Sequence, residues 1–148
     1  MEMKVFFNII VVSFNAGDKL ADTLDSILNQ TCQDLRIIIK DGDSTDGSVE
    51  KISQKYAIGQ DGKTSDGQII LVRGKDGGIY DAMNIASDTL QAVENGQEKA
   101  DCLDYVYFLN CGDRLTDIHV LEKVRQGILN HAAHTDNPLP SICYGDIN

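Results

Sequence analysis

The segment "YVYFLNCGDRL", residues 105–115, is apolar and aromatic until it stops at Asn110 and delivers Asp113 two positions after Cys111. A carboxylate and an amide oxygen at the end of a run suited to burial match the needs of a hard divalent cation, Mg²⁺ or Mn²⁺. Such ions take oxygen ligands and complete their shell with phosphates and water. Cys111 is a soft ligand and reads as a small side chain packed beside the loop. Similar polar endings close other apolar runs: Ser13 and Asn15 in "SFNAG", Asp41 and Asp43 in "KDGDSTDG", Asp76 and Asp81 in "RGKDGGIYDA", and Asp146 in "YGD". Two of these clusters have a plainer alternative. "NCGD" also fits a helix start, with Asp113 or Asp117 as the cap, and "DGDSTDGS" also fits ordinary turn and cap chemistry.

The elements that must carry these residues alternate in period. "FFNIIVVS" reads as a buried strand, and Leu20, Leu24, Ile27 and Leu28 then recur at helical spacing. "LRIIIK" is a second strand, and Asp46 is the expected N-cap of a helix whose Val49, Ile52 and Tyr56 share one face. The polar connector "GQDGKTSDG" leads to a third strand, "QIILVR". Ile79, Met83, Ala86, Leu90 and Val93 form one face of a helix of about four turns. "YVYFLN" is the fourth strand and is expected to be central. Val120, Leu121, Val124, Ile128 and Leu129 mark a fourth helix, and "ICYG" a short fifth strand. Five near-continuous apolar strands alternating with four helices imply an α/β fold: a mostly parallel sheet, helices on both faces, right-handed crossovers. Ligands of such sheets bind outside the carboxyl ends of the strands, which is where the polar endings fall.

Composition bounds the function classes. The chain has 148 residues, 42% hydrophobic and 24% charged, which suits one globular unit. Thirteen basic against 23 acidic residues leave a net charge of -10, which argues against nucleic acid and anionic lipid surfaces as partners. Cys32, Cys102, Cys111 and Cys143 form no C-x-x-C pair, so zinc-knuckle and thioredoxin-type motifs are absent and reduced, cytosolic thiols are expected. The N-terminal "VFFNIIVVSF" lacks a signal-peptide charge pattern and cleavage site, and it is far shorter than the ~20 apolar residues of a membrane span. No transmembrane segment is expected. "GKT" at 62–64 lacks the earlier glycine of a phosphate loop, "DGDSTDG" has its glycine one place late for a calcium loop, and no G-x-G-x-x-G follows the first strand. His119, His131 and His134 show no metal-ligand spacing.

Taken together, "IIVVSFNAGDKLADTLDSILNQTCQDLRIIIKDGDSTDGS", "DGGIYDAMNIASD" and "YVYFLNCGD" resemble, in order and spacing, the N-terminal half of a family 2 glycosyltransferase of the GT-A fold. The likeness is strongest to its bacterial polysaccharide-assembly branch. The resemblance implies a Rossmann-like GT-A sheet over residues 1–148 that binds a nucleotide-diphosphate sugar, with a UDP-sugar favoured. It sets Ser13, Phe14 and Asn15 against the nucleoside, Asp41 within reach of the base, and Asp76, Gly78 and Asp81 toward the ribose and sugar. Asn110 and Asp113 take the place of the family's D-x-D motif and would hold Mn²⁺ or Mg²⁺. Asn110 replaces that motif's first carboxylate, while Gly42 and Asp43 depart from "DDGS".

The implied activity is transfer of a sugar to a saccharide or lipid-linked saccharide acceptor, inverting at the anomeric carbon, in the cytoplasm or at the inner face of the membrane. Nucleoside diphosphate is a poor leaving group until its charge is neutralised, and the acceptor hydroxyl needs a general base. That base and the acceptor site are expected beyond Asn148, so the chain by itself is expected to bind donor and to transfer weakly or not at all. Two other readings stay open: a non-catalytic nucleotide-binding or structural α/β module, and a nucleotidyltransferase, which would need an activating basic residue from Lys40, Arg73 or Lys75.

Overall fold

A computed structural model describes residues 3–94 and 102–134. Four strands, β1 (Lys4–Ser13), β2 (Leu35–Asp41), β3 (Ile69–Arg73) and β4 (Cys102–Asn110), alternate with helices α1 (Asp18–Leu28), α2 (Ser48–Lys55), α3 (Ile79–Glu94) and α4 (Val120–His134). All strand pairings are parallel and the order is β3-β2-β1-β4. The segment read as a fifth strand, and Asp146 after it, lie outside the described residues.

The order follows from where each helix finds apolar surface. Along β1, Val5, Phe7, Ile9 and Val11 join Leu20, Leu24 and Ile27 of α1, Ile52 of α2 and Leu121 and Ile128 of α4 in one core layer. Ile10, Ile38 and Ile70 point the other way, onto Ala86 and Leu90 of α3. The strands are therefore apolar on both faces, as a helix-covered parallel sheet requires. From β1 through β3 the chain moves one way with α1 and α2 on one face. It then returns across the sheet to β4 with α3 on the opposite face, the side that right-handed crossovers demand for a reversed direction. Full burial of side chains such as Leu24 and Ile27 contributes about 1.5–3 kcal/mol each, so Leu24→Ala would cost roughly 2–5 kcal/mol.

Three expectations need correction. β4 pairs with β1 and borders the described sheet, whereas β1 and β2 are its interior strands; Val106, Tyr107 and Phe108 are accordingly exposed despite their apolar character. Asp46 is not the N-cap of α2. That position belongs to Gly47 at φ 85°, while the Asp46 carboxylate reaches over it to accept from the Ser48 N–H at 3.0 Å and hydroxyl at 2.6 Å. Ile79, placed on the apolar face of α3, is exposed at the first turn, since the helix begins beyond the sheet edge; Ala82 is buried instead.

The connector at 59–67 has a definite job. Gly62 and Thr64 bond to Leu71 and Ile69, so the loop covers the outer edge of β3 and blocks further pairing. Gly62 has φ 78°, and a Cβ there would lie 2.5 Å from the Leu71 carbonyl oxygen, so only glycine fits.

Candidate functional site

The order in which strands are added reverses about β1: its neighbours are β2, next in sequence, and β4, which arrives by the long return, while all strands run parallel. The crevice at the carboxyl ends of β1 and β4 is therefore the switch point where parallel sheets bind ligands. Ser13 ends β1 in register with Asp41, and Asn110 ends β4 in register with Val12. The polar endings identified in the sequence thus converge on one edge.

Ser13 is buried. Its hydroxyl makes no hydrogen bond of full geometry and is left unsatisfied at the end of β1. Burial pushes the neighbouring Cys111 thiol up in pKa, opposed by the nearby Ser13 and Thr23 hydroxyls, so Cys111 stays a neutral packing group. Phe14 is 66% exposed although it is among the most apolar side chains at the edge. Its ring and the Asp76 carboxylate flank Gly42 from two directions. A Cβ at 42 would stand 3.1 Å from Phe14 Cδ2 and 3.3 Å from Asp76 Oδ2. Asn15, at φ 44°, ties this turn to the next: its N–H donates to Ser44 Oγ at 2.8 Å, and its Oδ1 accepts from the Thr45 N–H at 2.9 Å.

Asp41 is fully buried, with both oxygens engaged by Ser44: Oδ2 accepts from the N–H at 2.8 Å and Oδ1 from the hydroxyl at 2.5 Å. It acts in this structure as the post on which the 42–45 turn stands. Asp43 lies at φ 70° on the outside of that turn, 3.7 Å from Arg73 Nε. Asp46 accepts from the Gly17 N–H at 2.9 Å as well as from Ser48, and these hydrogen bonds, Ser48 first, lower its pKa.

Across the edge, Asp76 Oδ2 meets Lys40 Nζ at 3.0 Å and Asp76 Oδ1 accepts from the Gly78 N–H at 3.1 Å. The Lys40 contact holds the Asp76 carboxyl below its usual range against the upward push of burial. Gly78 has φ 118°, a backbone that lets the loop turn into α3, and Asp81 Oδ2 accepts from the Gly77 N–H at 2.7 Å. Lys40, which the sequence marks only as a basic residue near the edge, holds the Asp76 loop in place. It is 2% exposed, and its ammonium also donates to the carbonyls of Asp41 (2.9 Å) and Gly74 (2.6 Å). The available signal was a lysine closing an otherwise apolar strand directly before Asp41. Arg73 is similarly committed, to Glu50 at 3.0 Å and the Ser44 carbonyl at 2.6 Å. Two of the three basic residues available to a nucleotidyltransferase are thus spent on holding loops.

Beyond β4, residues 110–113 form a tight turn in which the Asp113 N–H donates to the Asn110 carbonyl at 2.9 Å and Gly112 takes φ 103°. The side chains of Asn110 and Asp113 are exposed. The helix-cap alternative falls to Asp117, whose Oδ1 accepts from the His119 N–H at 2.7 Å just ahead of α4, leaving Asp113 outside the cap. Among the described residues, no three His, Cys, Asp or Glu gather into a cage. One exposed carboxylate with a neighbouring amide fits a cation that draws most of its shell from a bound diphosphate and water, and it does not fit a closed structural metal site.

The profile described as "Glycosyl transferase family 2" matches residues 8–115, which span this edge from β1 to the turn after β4. The chain belongs to that family. Among curated relatives, proteins named PGL/p-HBAD biosynthesis glycosyltransferase from Mycobacterium bovis and Mycobacterium tuberculosis are 31% identical over 144 residues, covering 95% of this chain and 46% of theirs. The chain thus spans about half the length of those relatives. Among solved structures, residues 1–349 of S. aureus TarS superpose with a TM-score of 0.62 at 19% identity, over 86% of this chain and 33% of that one. The same TarS fragment in complex with UDP-GlcNAc gives a TM-score of 0.64 over 86% of this chain and 32% of that one. The family assignment expected from the motifs and the Rossmann-like α/β sheet of the GT-A type are borne out.

Proposed function

We propose that this family 2 chain is the donor-binding part of a glycosyltransferase that moves a sugar from a nucleotide-diphosphate sugar to an acceptor hydroxyl. The observation that carries the reading is that the Ser13–Asn15 turn, the Asp76–Asp81 loop and the Asn110–Asp113 turn all stand at the carboxyl edge of one parallel sheet, with Phe14 and Asp76 flanking Gly42, and all fall within the family match. In this reading the exposed Phe14 ring and the unsatisfied Ser13 hydroxyl receive the nucleoside, with Asn15 fixing their turn. Asp41 shapes the turn that faces the base. Asp76, fixed by Lys40, works with Gly78 and Asp81 on the ribose and sugar side. A UDP-sugar is favoured, and the UDP-GlcNAc complex of the structural neighbour supports that choice.

Asp113, with Asn110 beside it, would hold Mn²⁺ or Mg²⁺. A cation bound there supplies the charge neutralisation that a departing nucleoside diphosphate requires. Asp113 contributes the anchoring carboxylate and Gly112 the backbone that brings it to the crevice. Transfer would invert the anomeric carbon, with the deprotonating base and the acceptor site outside residues 1–148. The acceptor class is a saccharide or lipid-linked saccharide, and the work is cytoplasmic or peripheral to the inner membrane face. Among the described residues no helix is long and apolar enough to cross a membrane.

A thermal-shift panel of UDP, GDP, dTDP and CMP, each with Mn²⁺ or with EDTA, tests the reading. A ligand at about 100 times its Kd adds ~2.7 kcal/mol, which raises the midpoint of a domain this size by several degrees. UDP with Mn²⁺ is expected to give the largest rise. No shift with any nucleotide in either condition overturns the donor-site assignment.

A further inference from the structure

Helix α1 packs its Leu20, Leu24 and Ile27 stripe into the core, next to that stripe it carries Thr23 and Ser26, and Gln30 follows two residues past its end. Thr23 is fully buried, Gln30 is 3% exposed and Ser26 is half-buried. Ser26 also donates to the Thr23 carbonyl at 2.7 Å and Gln30 to the Ser26 carbonyl at 3.0 Å, and their remaining partners lie between the end of β4 and the first turn of α4. Thr23 Oγ1 accepts from the Gly112 N–H at 2.9 Å and donates to the Asp113 carbonyl at 2.8 Å. Ser26 Oγ accepts from the Leu115 N–H at 3.2 Å. Gln30 donates to the Asp117 carbonyl at 2.6 Å and accepts from the Leu121 N–H at 3.1 Å. The Thr31 N–H, just beyond the helix, donates to the Ile118 carbonyl at 2.8 Å.

A hydroxyl has one proton to give, and Thr23 gives it to Asp113 while accepting from the residue before it. Its two bonds therefore grip the backbone on either side of the Gly112–Asp113 peptide. Together with the Asp113 N–H bond to Asn110, they fix that residue's backbone on both sides. The Asp113 carboxylate has no hydrogen bond or ion pair among the described residues and remains available to a ligand. A rigid main chain bearing an uncommitted carboxylate is the arrangement that preorganisation of a ligand atom requires.

We infer that Thr23 is a positioning residue for the cation: from α1 it sets the Asp113 peptide so that the carboxylate is presented at the switch point before metal arrives. Ser26 and Gln30 secure the downstream segment and act on stability alone. This inference rests on the assignment of Asp113 as the cation's carboxylate.

The test is Mn²⁺ affinity measured by electron paramagnetic resonance in saturating UDP, for wild type, Thr23→Val, Thr23→Ser and Gln30→Met, with thermal midpoints recorded alongside. Loss of an outer hydrogen bond to a metal ligand typically weakens metal binding by about 10–100-fold. Thr23→Val is expected to show a loss in that range. Thr23→Ser, which keeps the hydroxyl, should recover to within about threefold of wild type. Gln30→Met should lower the midpoint at least as much as Thr23→Val while holding Mn²⁺ within about threefold, because its bonds begin four residues past Asp113. If Thr23→Val does not fold, Thr23→Ala is the substitute, with the same expected loss. A folded Thr23 variant without the hydroxyl that binds Mn²⁺ as wild type does overturns the inference, as does an equal loss in Gln30→Met. Wild-type chain that binds UDP but no Mn²⁺ overturns the cation assignment itself, and the inference with it.

Discussion

Lys40→Met is expected to lower stability by about 3 kcal/mol at neutral pH. The ammonium is 2% exposed and spends its donors on the Asp41 carbonyl, the Gly74 carbonyl and Asp76 Oδ2. Methionine is similar in length and flexible enough to fill the space, so the substitution removes charge and donors with little cavity cost. Removing one partner of a buried pair costs roughly 3–5 kcal/mol because the other is left uncompensated. Asp76 is 13% exposed and keeps the Gly78 N–H at 3.1 Å, which places the expected loss at the low end. The sign of the pH dependence follows from the lowered Asp76 pKa, caused first by the Lys40 hydrogen bond. A depressed carboxyl contributes stability that is fully present above its unfolded value of about 3.9 and is lost as pH falls through the folded value. The gap between wild type and Lys40→Met should therefore be widest near pH 7 and shrink below about pH 4. Urea unfolding followed by circular dichroism at pH 7, 5 and 3.5 measures it. A loss below about 1 kcal/mol at pH 7, or a gap that does not narrow in acid, would mean that the Lys40–Asp76 pair does not hold this edge.

Two substitutions at glycine separate the site from the scaffold. Gly42→Ala would press a methyl group against the Phe14 ring and Asp76. Because the ring is exposed and can yield, stability should change by no more than about 0.5 kcal/mol, while UDP affinity falls several-fold, a loss of about 1 kcal/mol. Unchanged UDP affinity by calorimetry would remove Phe14 and Asp76 from the binding account. Gly62→Ala meets backbone at 2.5 Å with φ 78°, so it should cost about 2–3 kcal/mol in urea unfolding with no effect on nucleotide affinity beyond that of destabilisation. A stability change under about 0.5 kcal/mol would contradict the edge-covering role of its loop.

The fold was legible because its strands are apolar on both faces and its helices keep strict spacing: "FFNIIVVS" and the α1 stripe at Leu20, Leu24 and Ile27 admit few other readings. The strand ends that form the site were legible for the same reason, since each apolar run stops at a polar cluster. Strand order was not, because composition does not say which strand is interior; "YVYFLN" is as apolar as β1 yet borders the described sheet. Roles within clusters were equally hidden. Asp41 and Asp113 look alike in sequence, but one has both oxygens committed to Ser44 and the other stands exposed. Thr23 and Ser26 lie beside the apolar stripe of α1 and Gln30 just past its end, and only the return of the chain after β4 turns them into anchors. Long-range partners of this kind leave no local pattern.

The proposed function stands on a cation-dependent nucleoside diphosphate site that depends on Asp113. Calorimetric titration of UDP into wild type and Asp113→Ala, each in Mn²⁺ and in EDTA, tests it most directly. Wild type is expected to bind UDP at least about tenfold more weakly in EDTA, or about 1.4 kcal/mol, and a folded Asp113→Ala to bind with the weaker affinity in both conditions. Equal UDP affinity in Mn²⁺ and EDTA, or an Asp113→Ala that keeps the full Mn²⁺ response, would contradict it.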